Sequence, residues 1–317
     1  MSVNLSQLPA SETGFTSRLI TRLINGILAV DPLANWIKHQ ARQMMVKRAE
    51  KLGIPWQQQV ETLLGRNWDL EFTQVTRPDL IYPQYYLQPF HAYGAGNLTW
   101  QAAAEVEVAA QAVHAKIWPE AGIAGDARLR QSYHEALQAK LAGELDQFVN
   151  VLDLGCGIGL STFTLQKLCP QARITGVDLS PYFLAIALYR SQNRDLPAPT
   201  WLHAPAESTG LPDQTFDLVS LCLVCHELPQ TATQGIFQEA KRLLRSGGYL
   251  AIMDMNPESG VLTRMPPYIL TLLKSTEPYL DQYLTLNFEQ ALAEAGFELM
   301  GITANSPRHR TILAQSR

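Results

Sequence analysis

Cysteine is scarce in this chain of 317 residues, and both a long apolar run and an excess of basic residues are missing. The four cysteines are Cys156, Cys169, Cys222 and Cys225. Their number and spacing do not suit a disulfide framework, so we expect a reducing compartment. No apolar run reaches the roughly 20 residues that a membrane-spanning helix needs, and no secretory signal pattern is found. These absences predict a cytoplasmic protein.

The charge balance argues against a nucleic-acid partner. Lysine and arginine number 25 and aspartate and glutamate 29, which gives a formal net charge of −4 at pH 7. Nucleic-acid binding depends on a basic field, because contacts with phosphates supply much of the affinity. With 46% hydrophobic residues the chain can instead form a large core. We therefore expect a globular protein without a nucleic-acid partner.

The residue pattern divides the chain into two parts near Val149. Residues 1–147 are patterned mostly as helices, whereas residues 148–317 alternate short β-branched runs with helical stretches. The strand candidates are Val149–Leu154, Arg173–Val177, Pro199–His203, Phe216–Val224, Tyr249–Asp254, Glu298–Ala304 and His309–Ala314. A short link joins the last two, which predicts an antiparallel hairpin. The sequence thus predicts a helical N-terminal extension followed by an α/β domain with five parallel strands and a terminal hairpin.

Residues 15–50 combine apolar residues at helical spacing with basic residues. The apolar residues are Leu19, Ile20, Leu23, Ile24, Ile27 and Leu28, and the basic ones are Arg18, Arg22 and Lys38. One interpretation is a helix that packs on the catalytic domain or on a partner subunit. The other is a helix that lies on an anionic membrane surface, because an apolar stripe with flanking cations suits that interface.

A glycine-rich turn follows the first predicted strand in the run VLDLGCGIGL. Glycine permits a tight turn and lets a ligand approach the backbone closely. The spacing is G-x-G-x-G and differs from the dinucleotide pattern G-x-G-x-x-G. Asp153 precedes the glycines, where its charge would repel a pyrophosphate but attract an ammonium group. Asp178 ends the second predicted strand, where it can accept hydrogen bonds from both hydroxyls of a ribose.

These motifs resemble those of the class I S-adenosylmethionine-dependent methyltransferases. The resemblance rests on the run DLGCGIG and on the run VDLS, which is Val177–Ser180. Three further motifs resemble those of the ubiquinone/menaquinone methyltransferase-like branch. They are Ala206-Glu207, Leu211–Asp213 and Phe216–Val219. The resemblance covers roughly residues 149–314. It implies a seven-stranded Rossmann-like sheet and S-adenosylmethionine as the cofactor.

The resemblance also implies roles for individual residues. Asp153 and the glycine backbone would hold the methionine part of the cofactor, and Asp178 would hold its ribose. Leu179 and Ala206 would flank the adenine, whose amine would meet Glu207 or a nearby backbone group. Relatives commonly carry aspartate where this chain has Pro205, which puts the adenine contact in doubt. The cofactor-binding residues predicted in this way are Asp153, Gly155, Cys156, Gly157, Gly159, Asp178, Leu179, Ala206, Glu207 and Leu223.

The end of the fourth strand supplies the first catalytic candidates, because ligands of such sheets lie beyond the carboxyl ends of the strands. His226 and Glu227 follow this strand and could accept a proton from the acceptor or orient it. The alternative for His226 is that it caps the following turn. Cys222 and Cys225 point to opposite faces of a strand, so neither a thiol pair nor a metal site is expected.

An aromatic stretch, residues 82–100, is the candidate lid. Its aromatic side chains could form a wall around a flat or apolar acceptor, and His91 is the third catalytic candidate. The alternative is that these aromatics anchor the helical extension to the core. A second lid candidate, residues 265–283, lies between strand five and the terminal hairpin. It begins with MPPY, which mimics a motif of nucleic-acid methyltransferases but follows strand five instead of strand four. The predicted substrate-binding residues are Tyr82, Tyr86, Phe90, Tyr93 and Tyr268.

The sequence therefore predicts an S-adenosylmethionine-dependent methyltransferase of a small, apolar or aromatic metabolite, methylated on oxygen, carbon or nitrogen. Two alternatives stay open. One is a cofactor-binding regulatory or assembly protein without turnover. The other is a membrane-peripheral methyltransferase whose N-terminal segment delivers it to a lipid-dissolved acceptor.

Overall fold

The computed structural model of the protein describes residues 31–91, 93–192, 194 and 196–317. The apolar stripe predicted between Leu19 and Leu28 lies outside the described residues. In the part before the first strand, the helices are α1 (Asp31–Lys51), α2 (Trp56–Leu64), α3 (Asp69–Val75), α4 (Trp100–His114) and α5 (Gly125–Leu141). Short 3-10 turns lie at Gln84–Leu87, Gly122–Ala124 and Leu145–Gln147.

Helix α4 consists largely of the alanine-rich run that starts at Gln101, and its start has a clear physical cause. The Thr99 side chain accepts a hydrogen bond from the Ala102 amide, which satisfies one of the free donors at the helix terminus. The helix ends at His114, and a 3-10 turn at Gln84–Leu87 lies in the aromatic stretch before it.

The α/β part begins with β1. Its strands are β1 (Asn150–Leu154), β2 (Arg173–Asp178), β3 (Thr200–His203), β4 (Phe216–Cys222), β5 (Leu244–Met255), β6 (Phe297–Ala304) and β7 (His309–Ser316). Its helices are α6 (Leu160–Leu168), α7 (Pro181–Ser191), α8 (Gln230–Leu243), α9 (Gly260–Thr263), α10 (Pro267–Thr276), α11 (Leu280–Thr285) and α12 (Phe288–Glu294). A 3-10 turn, Cys225–Glu227, follows β4.

The described strands form one seven-stranded sheet in the order β3-β2-β1-β4-β5-β7-β6. Strands β1 to β5 pair in parallel, and β7 pairs antiparallel with both β5 and β6. This confirms the predicted Rossmann-like sheet with its terminal hairpin. The predicted fifth strand was too short: β5 starts at Leu244, and the ladder shifts register between Phe216 and Leu218 of β4.

Both faces of the sheet are covered, as parallel strands require. On one face α8 buries Ile236, Phe237 and Ala240 against the sheet. On the other face the sheet is covered by α6 and by α5, which lies before β1 in the chain. Its Tyr133 is 1% exposed, and the hydroxyl lies 3.0 Å from the Ser220 hydroxyl of β4. Helix α5 therefore forms part of the hydrophobic core on this face of the sheet.

Helices α3 and α4 pack on α7, largely through aromatic side chains. Trp68 stacks on Trp100 with ring centroids 5.4 Å apart and meets the ring of Tyr189 edge-on at 5.5 Å. Its indole N–H donates to the Leu63 carbonyl at 2.8 Å, so its polar atom is satisfied. Trp68 thus joins α2, α3 and α4 to a helix of the α/β part.

Replacing this tryptophan should destabilise the protein. We expect Trp68→Ala to lower the free energy of unfolding by about 3–5 kcal/mol, because a large side chain that is 5% exposed leaves a cavity. Leu70→Ala is the control, since Leu70 on the same segment is 65% exposed and should change the value by less than about 0.5 kcal/mol. Urea denaturation of the two variants measures both. Equal midpoints would contradict the packing described here.

Candidate active site

The glycine-rich turn between β1 and α6 adopts a backbone that only glycine tolerates easily. Gly155, Gly157 and Gly159 have φ of 71°, 54° and 86°, all in the left-handed region. A Cβ on Gly155 would lie 2.6 Å from Val224 Cγ2. The Gly155 and Cys156 amides both donate to the Val177 carbonyl of β2, at 2.8 and 3.0 Å. The turn is therefore fixed to the neighbouring strand.

A cavity of about 500 Å³ opens above this turn, at the carboxyl ends of β1, β2 and β4. Its volume lies within the range of small-molecule and cofactor sites. It brings together twelve of the eighteen residues predicted from the sequence. These are Tyr86, His91, Tyr93, Gly155, Cys156, Gly157, Asp178, Leu179, Ala206, Leu223, His226 and Glu227.

Six predicted residues do not line this cavity: Tyr82, Phe90, Asp153, Gly159, Glu207 and Tyr268. Asp153 is fully buried beneath the turn, where its Oδ2 accepts hydrogen bonds from the hydroxyls of Ser161 and Thr162, each at 2.7 Å. Burial raises the pKa of Asp153 to about 6, against the effect of these hydroxyls. Ser161 itself lines the cavity, so Asp153 reaches the wall through a neighbour.

The other residues away from the wall hold neighbouring segments together. Tyr82 OH lies 3.2 Å from Nε2 of His203, and Glu207 accepts a hydrogen bond from Tyr85 OH at 2.7 Å. Phe90 is 8% exposed and pairs through its backbone with Tyr93. These contacts favour the anchoring interpretation for Tyr82 and Phe90. Tyr268 is half-buried on α10.

Asp178 ends β2 and faces the cavity with its carboxylate held in place. Oδ2 accepts a hydrogen bond from the Gly157 amide at 2.8 Å, and Oδ1 accepts one from the Ser180 amide at 2.7 Å. Burial raises the pKa of Asp178 to about 6, although these amides lower it. A carboxylate oxygen can accept more than one hydrogen bond, so both can also serve a ligand hydroxyl.

Leu223 lies where β4 ends and is one of the few described residues other than glycine with positive φ, at 61°. Its amide donates to the Met253 carbonyl of β5 at 2.8 Å, which holds this unfavourable backbone conformation in place. The chain turns here from the strand into the 3-10 turn with His226 and Glu227. The strained residue therefore directs both side chains to the cavity.

His226 is paired with Asp254, the penultimate residue of β5. Nδ1 of His226 lies 2.7 Å from Asp254 Oδ1, and the His226 amide donates to Oδ2 at 3.2 Å. Burial lowers the pKa of His226, but the carboxylate of Asp254 outweighs this and raises it to about 10. His226 is thus an imidazolium at neutral pH, which can donate a hydrogen bond but cannot accept a proton.

His91 lies opposite on the lid, with a φ of 48°. Its amide donates to the Thr276 carbonyl at 3.0 Å, and its Nε2 lies 2.7 Å from Glu277 Oε1. Nε2 is also 3.9 Å from Glu227 Oε1. Burial lowers the pKa of His91, but Glu277 and Glu227 outweigh this and raise the pKa above its ordinary value. The two predicted lid segments are therefore joined to each other through His91.

The surroundings of Glu227 bring its pKa close to neutral pH. Burial raises the pKa of Glu227 to about 7; His91 and His226 lower it, and Glu277 raises it further. A base is most effective when its pKa lies near the working pH. Glu227 also lines the cavity and keeps 28% of its side chain exposed, so a ligand can reach it.

Arg130 and Glu277 line the cavity but were missed in the sequence. Arg130 of α5 donates to Asp126 Oδ2 at 3.2 Å and to Cys222 Sγ at 3.4 Å. Asp126 also lies 2.7 Å from Nδ1 of His114, another wall residue. An arginine on a helix ordinarily faces water, so only the position of α5 against the sheet could have revealed it. For Glu277 the only signal was the second predicted lid.

Two further observations concern the described residues only. They contain no group of three or more histidine, cysteine, aspartate or glutamate side chains arranged to hold a metal ion. They also contain no helix with the length and apolarity that crossing a membrane requires. Cys222 and Cys225 belong to core clusters on opposite faces of the sheet, and all four cysteines are buried and free.

Comparisons with known proteins agree with this geometry. A family model described as a methyltransferase domain matches residues 152–252. Trans-aconitate 2-methyltransferase of Azoarcus sp. is 41% identical over 34% of this chain and 40% of its own length. An uncharacterized methyltransferase of Synechocystis sp. is 31% identical over 47% of this chain and 67% of its own. Demethylmenaquinone methyltransferase of Tropheryma whipplei is 30% identical over 44% of this chain and 58% of its own length.

The sheet order, the glycine turn and the acid that ends β2 define a nucleoside-binding Rossmann-like domain. Together with the matched relatives they identify its class: the chain belongs to the S-adenosylmethionine-dependent methyltransferases of class I. The matched region spans 40% to 67% of the length of these three relatives.

The pairing of His226 with Asp254 can be tested by NMR titration of the imidazoles. We expect His226 to stay protonated at neutral pH and to lose its proton only near pH 10. Asp254→Asn should move this titration to lower pH, because burial lowers the pKa of His226 and the carboxylate that raises it is then missing. His134 is the internal control: burial lowers its pKa to about 4, so it should be neutral at neutral pH in both proteins. A His226 that titrates near 6.5 in the unmodified protein would refute the assignment.

Proposed function

We propose that the protein transfers the methyl group of S-adenosylmethionine to a small, apolar or aromatic acceptor held beneath the aromatic lid. One observation carries this proposal. A single cavity joins the glycine turn and Asp178 to Glu227, His91 and Tyr86. The glycine turn and Asp178 suit a nucleoside. Glu227, His91 and Tyr86 suit the activation and enclosure of a second molecule.

The residues of the cavity fit the cofactor part by part. Asp178 offers its carboxylate to the ribose hydroxyls, and Leu179 and Ala206 offer apolar contacts to the adenine. The methionine part would follow the turn at Gly155, where a Cβ would clash with Val224. Arg130 then provides a cation for the α-carboxylate. Asp153 would act from beneath, by fixing the Ser161 hydroxyl on the wall.

The cofactor supplies an electrophilic methyl group on a sulfonium, which needs no metal to make it reactive. The tasks left to the protein are to align the acceptor, exclude water and remove a proton. Alignment of two bound molecules can lower a barrier by roughly 7–11 kcal/mol in favourable cases. Glu227 is suited to remove the proton, because its pKa is about 7. His226, as an imidazolium, would orient the acceptor or stabilise a developing negative charge.

Tyr86 would cover the reacting groups. Burial, together with the nearby carboxylates of Asp178 and Glu227, raises its pKa well above 10, so its phenol stays neutral. Tyr86 lies nearly parallel to Tyr82, with ring centroids 6.2 Å apart. A neutral aromatic wall excludes water and leaves the nearby carboxylates as the anionic groups of this end.

The acceptor class rests on the chemistry of the wall. Most of the wall is apolar, and the lid contributes aromatic rings. A relative named for demethylmenaquinone is consistent with a quinone-type or phenolic acceptor. The relative named for trans-aconitate indicates a carboxylate acceptor instead. An open cavity with ionisable groups beside it favours turnover over a role in cofactor binding alone.

The ribose assignment predicts a loss of cofactor affinity on substitution of Asp178. We expect Asp178→Asn to weaken binding of S-adenosylmethionine at least about tenfold in calorimetry, because hydrogen bonds to a charged group contribute roughly 1.5–3 kcal/mol. Asp79→Asn is the control, since the Asp79 side chain is 73% exposed and does not line the cavity. Undiminished affinity in the Asp178 variant would refute the assignment.

The role of Glu227 predicts a change in turnover without a change in cofactor binding. We expect Glu227→Gln to lower kcat by about 10²–10⁴-fold, the usual contribution of a general base. In the unmodified enzyme, kcat should fall as the pH drops below about 7, because Glu227 must be ionised to accept a proton. The exposed Glu289→Gln serves as the control.

These rates are measured with an acceptor identified by incubating extracted metabolites with methyl-labelled cofactor. If kcat is unchanged in the Glu227 variant and shows no fall at low pH, another group removes the proton. If the variant instead loses cofactor affinity, Glu227 belongs to the cofactor site.

A further inference from the structure

At its lid end the cavity is lined by more carboxylates than histidines, namely Asp178, Glu227 and Glu277 against His91 and His226. Asp254 is paired with His226 at 2.7 Å, and Glu277 is paired with His91 at the same distance. These pairs leave Asp178 and Glu227 without a full counter-charge. The lid end is therefore anionic.

The two arginines that line the cavity are both paired. Arg130 donates to Asp126, which also lies 2.7 Å from Nδ1 of His114. Arg42 is paired with Glu105, which also accepts a hydrogen bond from Tyr93. Because Arg130 would also hold the carboxylate of the cofactor, neither arginine of the described wall is free to bind an anionic acceptor.

Glu277 carries an unused acceptor at this end. The residue is 6% exposed, lies just after the end of α10 and lines the cavity. Its Oε1 is paired with His91, whereas its Oε2 is buried and has no hydrogen-bond partner among the described residues. A buried carboxylate oxygen without a donor is costly, so a ligand that brings a donor is favoured here.

We infer that the acceptor presents a neutral, weakly acidic hydroxyl group to Glu277 and Glu227, and that carboxylate and phosphate acceptors are rejected. This inference rests on the proposed function and names the substrate class of the same site. Glu277 Oε2 accepts the hydrogen bond of the hydroxyl and positions it. In the reaction the O–H turns from Glu277 to the neighbouring carboxylate of Glu227, which takes the proton.

The step balances without a further reactant. The O–H bond of the acceptor breaks, the proton goes to Glu227, and the electron pair stays on the acceptor oxygen. That pair forms the bond to the methyl carbon directly from oxygen, or through a conjugated ring carbon that then loses its own proton as the oxygen regains one. In either case the C–S bond breaks with its electrons left on sulfur. An anionic acceptor lacks this proton and meets two carboxylates of its own sign.

Three matched probes test the inference by calorimetry on the protein loaded with S-adenosylhomocysteine, near neutral pH. They are 4-chlorophenol, 4-chlorobenzoate and 4-chloroanisole, which carry a hydroxyl, an anion and a group without a donor. We expect 4-chlorophenol to bind at least about tenfold more tightly than each of the others. Equal or tighter binding of 4-chlorobenzoate would overturn the inference, and so would a lack of binding by all three probes.

Substitution of Glu277 locates the recognition. In Glu277→Gln we expect the affinity for 4-chlorophenol to fall about tenfold, the affinity for 4-chloroanisole to stay the same, and the affinity for 4-chlorobenzoate to rise. Glu258→Gln is the matched control, because Glu258 is exposed. If the Glu277 variant still binds 4-chlorophenol more tightly than the other two probes, another group binds the hydroxyl, and the inference is refuted.

A second measurement uses the unmodified protein, so it does not depend on how a variant folds. Products formed from extracted metabolites with methyl-labelled cofactor are treated with mild alkali, which cleaves methyl esters but leaves ethers and C-methyl groups intact. We expect the label to survive. Release of the label as methanol would show a carboxylate acceptor and overturn the inference, although the proposed function would stand. Failure of S-adenosylhomocysteine to bind would overturn both.

Discussion

The attachment of the glycine turn to β2 is the constraint on which the site depends. Two consecutive amides, of Gly155 and Cys156, donate to the Val177 carbonyl, and the Gly157 amide donates to Asp178. The turn and the acid therefore hold each other in position, so neither can move without the other. A carboxylate that is already held by backbone donors loses little freedom when a ligand binds, which is the physical meaning of a preorganised site.

The charged side chains of the cavity wall limit how two molecules can bind there. Arg130 donates to Asp126, and Glu277 is paired with His91, whereas Asp178 lines the cavity without an ion-pair partner among the described residues. In the proposed complex Arg130 would meet the carboxylate of the cofactor and Asp178 its ribose, so the cofactor would fit in one direction only. The carboxylates of Glu227 and Glu277 would then disfavour an anionic acceptor. On this proposal the same charged groups orient the cofactor and select the acceptor.

The sequence predicted the sheet because its signals were local. Apolar runs, the glycine turn and the acid after β2 each occupy a few consecutive residues. The rest of the site depends on contacts that no local pattern encodes. Arg130 reaches the cavity because α5 packs on the sheet, and Glu277 meets His91 across two distant segments. For the same reason, Asp153 could be recognised as important, but its position beneath the turn could not.

Helix α5 covers one face of the sheet through Tyr133 and also presents Arg130 to the cavity. It therefore belongs to both the scaffold and the ligand pocket, although it precedes the first strand. Recombination between related enzymes is tolerated best at boundaries that few contacts cross. A chimera joined just before β1 would combine a sheet with a foreign covering helix. A junction placed earlier, in the 3-10 turn Gly122–Ala124, would keep α5 with its own sheet.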